Sequence, residues 1–291
     1  MKPFPIPVVA LGPGSQALEE PLEFMQFPQQ MATFVAPSLP DDADARVVSQ
    51  ARAILEDLLQ QAGRFDFGPA AVLEFDLAGT DPKVLRYLGE ALSEGEVAAV
   101  VRPAGVAPSA PPVTEIRIQE TAFPAFWRVV HLDTAGRIVR DLIEVGPIPS
   151  VVTAAALAAS HAGVTLRPFP DGVMNAAPIL AELAAASARF ADSGEGHIVN
   201  FTLLPVSPVD MQCLVDSLGI GAVSILSRGY GNCRLTSTRL RHVWWVQYFN
   251  SMDQMILNTI EVTAVPEVGL ASRDDFTDSL ARIAEWIQTL E

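Results

Sequence analysis

An internal repeat constrains this chain more than any other feature, because a fold assigned without it would be misassigned as a whole. Laid over each other without gaps, Phe75 to Arg102 and Phe201 to Arg228 share Phe75/Phe201, Leu77/Leu203, Pro82/Pro208, Leu88/Leu214, Leu92/Leu218, Gly95/Gly221, Val97/Val223 and Arg102/Arg228, 8 of 28 positions. Ile118 to Val151 over Leu235 to Val268 adds 8 of 34, among them Thr121/Thr238, Trp127/Trp244 and the Ile-Glu-Val triplets that contain Glu144 and Glu261. Ordinary composition would give roughly 6 to 7% by chance. The offset changes by nine residues inside Pro103 to Pro112, a Pro/Ala-rich insert that a loop tolerates.

Each copy repeats one order of elements. A strand, Ala71 to Leu77 or Ile198 to Leu204, leads to a helix announced by Asp81-Pro82 or Ser207-Pro208, an N-cap followed by proline at the first helical position. Val84, Leu85, Leu88 and Leu92 then recur on one helical face, as do Met211, Leu214, Val215 and Leu218. Strands from Gly95 to Arg102 and Glu115 to Thr121, with counterparts from Gly221 to Arg228 and Cys233 to Thr238, precede a hairpin in each copy. The fold class expected is α+β: two tandem homologous β-α-β-β-β-β units with mainly antiparallel sheets, linked and covered by helices. The expected division is 1–69, an arm and the amphipathic helix Asp42 to Gln61; 70–151, the first copy; 152–197, a helical linker; and 198–291, the second copy with a C-terminal helix.

Composition removes several classes of function. With 34 acidic and 19 basic side chains the formal charge is −15, the wrong sign for neutralising phosphates, so no nucleic-acid partner is expected. At 49% hydrophobic and 18% charged, the chain can build a large core. Its two cysteines, Cys213 and Cys233, form no CxxC pair and cannot alone supply a four-thiolate centre; they read as reduced thiols of a cytoplasmic protein. Prolines 3, 5 and 7 interrupt any signal-peptide core, and Val145 to Ser160 is too short and too proline-broken to span a bilayer, so no membrane insertion is expected.

Standard catalytic patterns are missing: no GxSxG, HExxH, Walker A lysine, GxGxxG or CxxC occurs. His131, His161, His197 and His242 have no local ligand partners, and no metal or cofactor is expected. Glu144 and Glu261 occupy matching strand positions; a symmetric pair could do acid/base work, but duplication alone explains the match, and a structural salt bridge or solvated face is the reading expected. The richest stretch is Gly229-Tyr-Gly-Asn-Cys-Arg234 with Leu240-Arg-His-Val-Trp-Trp-Val246. Glycines around Tyr230 permit a tight or bulged backbone that would expose the ring and the Cys233 thiol. Adjacent strand tryptophans face opposite ways; the repeat assigns Trp244, matched by Trp127, to the common core and leaves Trp245, matched by Arg128, as an interface candidate unless a helix covers it. The candidate partner-binding residues are Tyr230, Asn232, Cys233, Arg234, Arg241, His242 and Trp245.

Several strings resemble one family. Leu11-Gly-Pro-Gly-Ser-Gln16, Leu92-Ser-Glu-Gly-Glu-Val97, Phe126-Trp-Arg-Val129, Asp171-Gly-Val-Met-Asn-Ala-Ala-Pro178 and the run from Gly229 through Leu240 to Val262 resemble the HupH/HyaF family of [NiFe]-hydrogenase expression and maturation proteins. Ser93 and Ala125 stand where that family usually has glycine. The resemblance implies an accessory, chaperone-like and non-enzymatic role at the hydrogenase small subunit or its precursor, alongside other maturation factors, during cluster assembly and before export. It carries over no catalytic residues. A net charge of −15 would draw in a basic segment of such a partner. Two alternatives use Cys233 and its neighbours: a cysteine-dependent enzyme with His242, Arg234 or Arg241, and a transient iron–sulfur carrier with Cys213.

Overall fold

The computed structural model describes residues 44–69, 71–103, 113–164, 168–229 and 231–290. Among them the chain runs α1 (Ala45–Ala62), β1 (Leu73–Asp76), α2 (Pro82–Leu92), β2 (Val97–Val101), β3 (Val113–Glu120), β4 (Phe126–Asp133), β5 (Ile138–Val145) and α3 (Ser150–Ala158). The same order follows again as α4 (Ala176–Ser193), β6 (His197–Asn200), α5 (Pro208–Leu218), β7 (Ile220–Ser227), β8 (Asn232–Thr238), β9 (Val243–Phe249), β10 (Met255–Val262) and α6 (Arg273–Gln288). The fold is α+β with one large antiparallel sheet.

That sheet has ten strands in the order β1-β5-β4-β3-β2-β7-β8-β9-β10-β6. The order is a palindrome once each strand is matched to its repeat partner, so the copies do not build separate sheets but share one. They join where β2 meets β7, with Val97 opposite Ser227, Ala99 opposite Ile225 and Val101 opposite Val223. Since Val97 and Val223 are repeat equivalents, this register is self-complementary about Ala99 and Ile225, which places a local two-fold there.

Local chemistry sets the element ends. Asp81 and Ser207 cap α2 and α5 through their side chains, each followed by proline in the first turn. Asp210 does more than complete the α5 capping box. Its carboxylate also accepts the N–H groups of Met174, Asn175 and Ala176 at 2.8, 2.8 and 3.0 Å, tying the start of α4 to α5. Burial works against that charge, but the Ser207 hydroxyl and these backbone donors together hold the carboxyl well below its usual range. The strand expected to run from Ile198 to Leu204 stops at Asn200. The Asn200 side chain accepts the Thr202 N–H at 2.9 Å and turns the chain, an Asx turn that alternation cannot reveal.

The halves interlock through their last helices. The chain after α3 reaches the second half, where the His161 N–H donates to the Arg239 carbonyl and the His161 carbonyl accepts from Arg241. Reciprocally, α6 lies against the first half. Phe276 stacks on Phe67 at 4.8 Å and on Phe126 at 6.0 Å, and Arg282 donates to the Ala122 carbonyl. Ala122 and Arg239 are repeat equivalents, so each half clamps the other at the same turn.

Two apolar cores result. One gathers Trp127, Trp244, Ile118, Val223 and Leu235 with residues of α1, α2, α3 and α6; the other gathers Trp245, Ile260 and Val262 with α4 and α5.

Candidate functional site

The β8–β9 hairpin carries the candidate residues, except that Tyr230 lies outside the described residues. It does not bring them to one place. Cys233 pairs with Tyr248 at one end of the hairpin, whereas Arg241 and His242 form the connection at the other. Cys233 and Thr238 stand five positions apart along the strand, a distance of about 17 Å. Alternation then sends Cys233 with Leu235, Val246 and Tyr248 to one face of the sheet, and Arg234 with Thr236, Trp245 and Gln247 to the other.

The thiol is not exposed, contrary to expectation. Cys233 is 1% accessible, packed with Leu235 and Trp244 in the larger core. Burial pushes it up to about 12, an effect that the Tyr248 hydroxyl reduces and the Glu261 carboxylate adds to. A thiol so protonated is a poor nucleophile and a poor metal ligand. Cys213, on α5, belongs to the other core. Among the described residues, no group of three His, Cys, Asp or Glu side chains could hold a metal ion.

Trp245 is likewise buried, at 2%, and the covering-helix reading is the one that holds. Its indole packs 5.5 Å from the Phe201 ring, beneath Leu180 and Leu183 of α4 and Leu214 of α5. Arg128, its counterpart in the first copy, cannot fill a core in this way, which is why the two positions read so differently in sequence.

The remaining candidates divide between the hairpin ends. Arg234 lies over the Phe249 ring at 4.7 Å, and the Asn232 amide donates to Asp253 at 3.4 Å. Gly231 has φ +98°, and the hydrogen on Gly229 leaves the space that the Glu96 carboxylate occupies. At the other end His242 has φ +62° and tilts against Phe190 at 4.8 Å. Burial, then the neighbouring Arg241, lowers its pKa, which favours the neutral imidazole. Glu144 and Glu261 differ despite matching: Glu144 accepts the Ser150 N–H at 2.5 Å and caps α3, whereas Glu261 faces the buried Cys233–Tyr248 pair.

Polar groups that sequence reasoning passed over lie in the first copy. Arg128 makes two hydrogen bonds to Asp141, at 3.2 and 2.8 Å, with the carboxylate almost fully buried. Beside this pair a cavity of about 100 Å³ opens between α2 and the sheet, lined by Leu85, Leu88, Glu94, Gln119 and Arg128 among others. The signal was the alignment of Arg128 with Trp245, which marks the position where the copies part. Glu120 is buried at the end of β3; desolvation raises its carboxyl to about 7, against hydrogen bonds from Val97 and Ala125 and with help from Glu96 and Asp275.

Comparison with known proteins matches the whole chain. The family model described as "HupH hydrogenase expression protein, C-terminal conserved region" matches twice, at residues 48–166 and 173–290, so each match takes in a helix before β1 or β6 and one after β5 or β10. The hydrogenase expression/formation protein HoxQ of Cupriavidus necator is 40% identical over 100% of both chains. HupH of Rhodobacter capsulatus is 40% identical over 99% of this chain and 98% of its own, and the hydrogenase-1 operon protein HyaF of Escherichia coli is 30% identical over 96% and 95%. The solved structure of a hydrogenase expression protein HupH from Thiobacillus denitrificans is 31% identical and covers 38% of this chain and 92% of its own, with a TM-score of 0.37. With the duplicated unit matched in both halves and relatives aligned end to end, this chain belongs to the HupH family of hydrogenase expression proteins.

Proposed function

We infer that this protein is an accessory factor in [NiFe]-hydrogenase maturation that binds the iron–sulfur small subunit, or its precursor, while clusters are assembled and before export. The observation that carries the reading is full-length similarity to proteins named for hydrogenase expression and formation. The arrangement of the candidate residues agrees with a binding role: Cys233 is buried and lies about 17 Å along the hairpin from the end that carries His242, so the residues of the cysteine-enzyme alternative do not meet. A carrier using both cysteines is no better served, since they lie in separate cores.

With Trp245 and Cys233 internal, Arg241 stays exposed at one end of the hairpin, and the contact is assigned to the other. Arg234, Asn232 and the neighbouring turn with its exposed Met252 remain there. A net charge of −15 adds long-range attraction for a basic partner segment. The test is affinity purification from cells expressing a hydrogenase operon, comparing the natural chain with Met252→Asp and with a form lacking residues 1–43. The small subunit is expected to co-purify at low salt, less so with Met252→Asp or at high salt. Its absence from every eluate overturns the reading.

A further inference from the structure

The cavity under α2 lies where the second copy places different residues between helix and sheet. The positions of Gly89, Glu94, Gln119, Arg128 and Asp141 are occupied there by Val215, Ile220, Thr236, Trp245 and Asn258. In the second copy the indole closes the space between helix and sheet. In the first, Gly89 leaves room for the Arg128 guanidinium, since a Cβ at Gly89 would lie 3.0 Å from Nη1. Asp141 then draws that guanidinium to the side of the pocket.

The pocket is apolar along α2 and polar at its end. Leu85, Leu88 and Leu92 line the helix side. Gln119 is held in place by donating its amide to the backbone carbonyls of Gly95, Val97 and Glu120. One acceptor is left over: Glu94 Oε2 is buried with no hydrogen-bond partner among the described residues. A buried carboxylate oxygen without a donor costs free energy that an incoming N–H group would recover. Arg128 turns Nε and Nη2 to Asp141 and its Nη1 to Gly89, so the guanidinium does not supply that donor.

We propose that this pocket is a binding site for a primary alkylammonium group, its short aliphatic stem against the α2 leucines and its head on Glu94. The size fits: an engineered cavity of about 150 Å³ admits benzene, so about 100 Å³ holds a stem of about four carbons. Such a group can be a free amine or the end of a lysine side chain on a polypeptide. The site stands on the pocket alone, and its failure would leave the maturation role untouched.

The test is NMR titration of the full-length protein, following the methyl groups of Leu85, Leu88 and Leu92. The probes are n-butylammonium, 1-butanol as its neutral isostere, and the blocked peptide acetyl-Gly-Lys-Gly-amide. Saturable shifts at these methyls with n-butylammonium are expected, weakened about tenfold or more by Glu94→Gln while 1-butanol is unaffected by that change. Gly89→Val, which copies position 215, should abolish binding of all three, and Glu94→Gln decides the matter if that variant folds poorly. Tighter binding of the peptide than of n-butylammonium assigns the site to a lysine side chain; equal or weaker binding assigns it to a free amine. No saturable shift, or an unchanged affinity for n-butylammonium in Glu94→Gln, overturns the proposal.

Discussion

Ser93 ends α2 with φ +51° and ψ −168°, a backbone region that belongs essentially to glycine. Its repeat equivalent, Gly219, ends α5 at φ +62° and ψ 170°. The duplicated fold therefore demands one conformation at two sites and meets it with glycine at only one. Holding a residue with a Cβ there costs about 1–3 kcal/mol. Ser93→Gly releases that cost, but gives back about 0.4–1 kcal/mol in unfolded-chain entropy and about 0.5–1.5 kcal/mol for the interactions of the half-buried serine. At mid-range these terms net to stabilisation by about 0.3 kcal/mol. Gly219→Ser runs the same balance backwards and adds a Cβ 3.0 Å from the Arg239 side chain, for a loss of about 1–2 kcal/mol. Urea unfolding of the full-length protein reads both as shifts in midpoint at constant slope. Destabilisation by Ser93→Gly, or a neutral Gly219→Ser, would refute the account of the helix ends. Ala125, at φ +71° and matched by His242 at φ +62°, poses the same demand a second time.

Three other perturbations follow from buried groups. Glu120 has its carboxyl raised to about 7, so the stability it contributes is full below the unfolded value near 4.5 and is lost as pH rises through about 7, by on the order of 3 kcal/mol. Glu120→Gln should flatten that fall in urea unfolding between these pH values, and an unchanged slope would remove Glu120 as its source. Cys233 should resist iodoacetamide at pH 8 in the native protein and react in urea; native labelling at the rate of a free thiol would contradict its burial. Phe276→Ala should cost about 3–5 kcal/mol, because the ring that stacks on Phe67 and Phe126 fastens the last helix to the first half; a cost below about 1 kcal/mol would show that α6 is not the clamp.

Much of the architecture was legible because it is written in short-range chemistry. Asp81-Pro82 and Ser207-Pro208 start their helices where the residue types say. The turns at Asp133 and Asn250 close hairpins through their own side chains, which accept nearby backbone N–H groups. The overlong strand at Ile198 to Leu204 shows the limit: apolar residues continue, but one asparagine side chain diverts the backbone. The candidate site was less legible. Its residues are close along the chain, whereas a hairpin places neighbours on opposite faces and its two ends about 17 Å apart. The Arg128 pocket was hidden for the converse reason, since Gly89, Glu94, Gln119, Arg128 and Asp141 meet only when α2 lies on the sheet.

From the sequence by itself follow the duplication, the order of elements in each copy, the acidity and the family. Each depends on residue identity, local spacing or direct comparison. Only the tertiary structure decided that β2 pairs with β7 to make one ten-stranded sheet, that α6 of the second copy is seated on the first, and that Trp245 lies inside. The apolar strands Val97–Val101 and Ile220–Ser227 could each have been covered or paired in several ways. Alternation shows which side chains share a face but not which strand lies alongside. That choice rests on backbone hydrogen bonds between segments more than a hundred residues apart, where a self-complementary register lets the two copies complete each other.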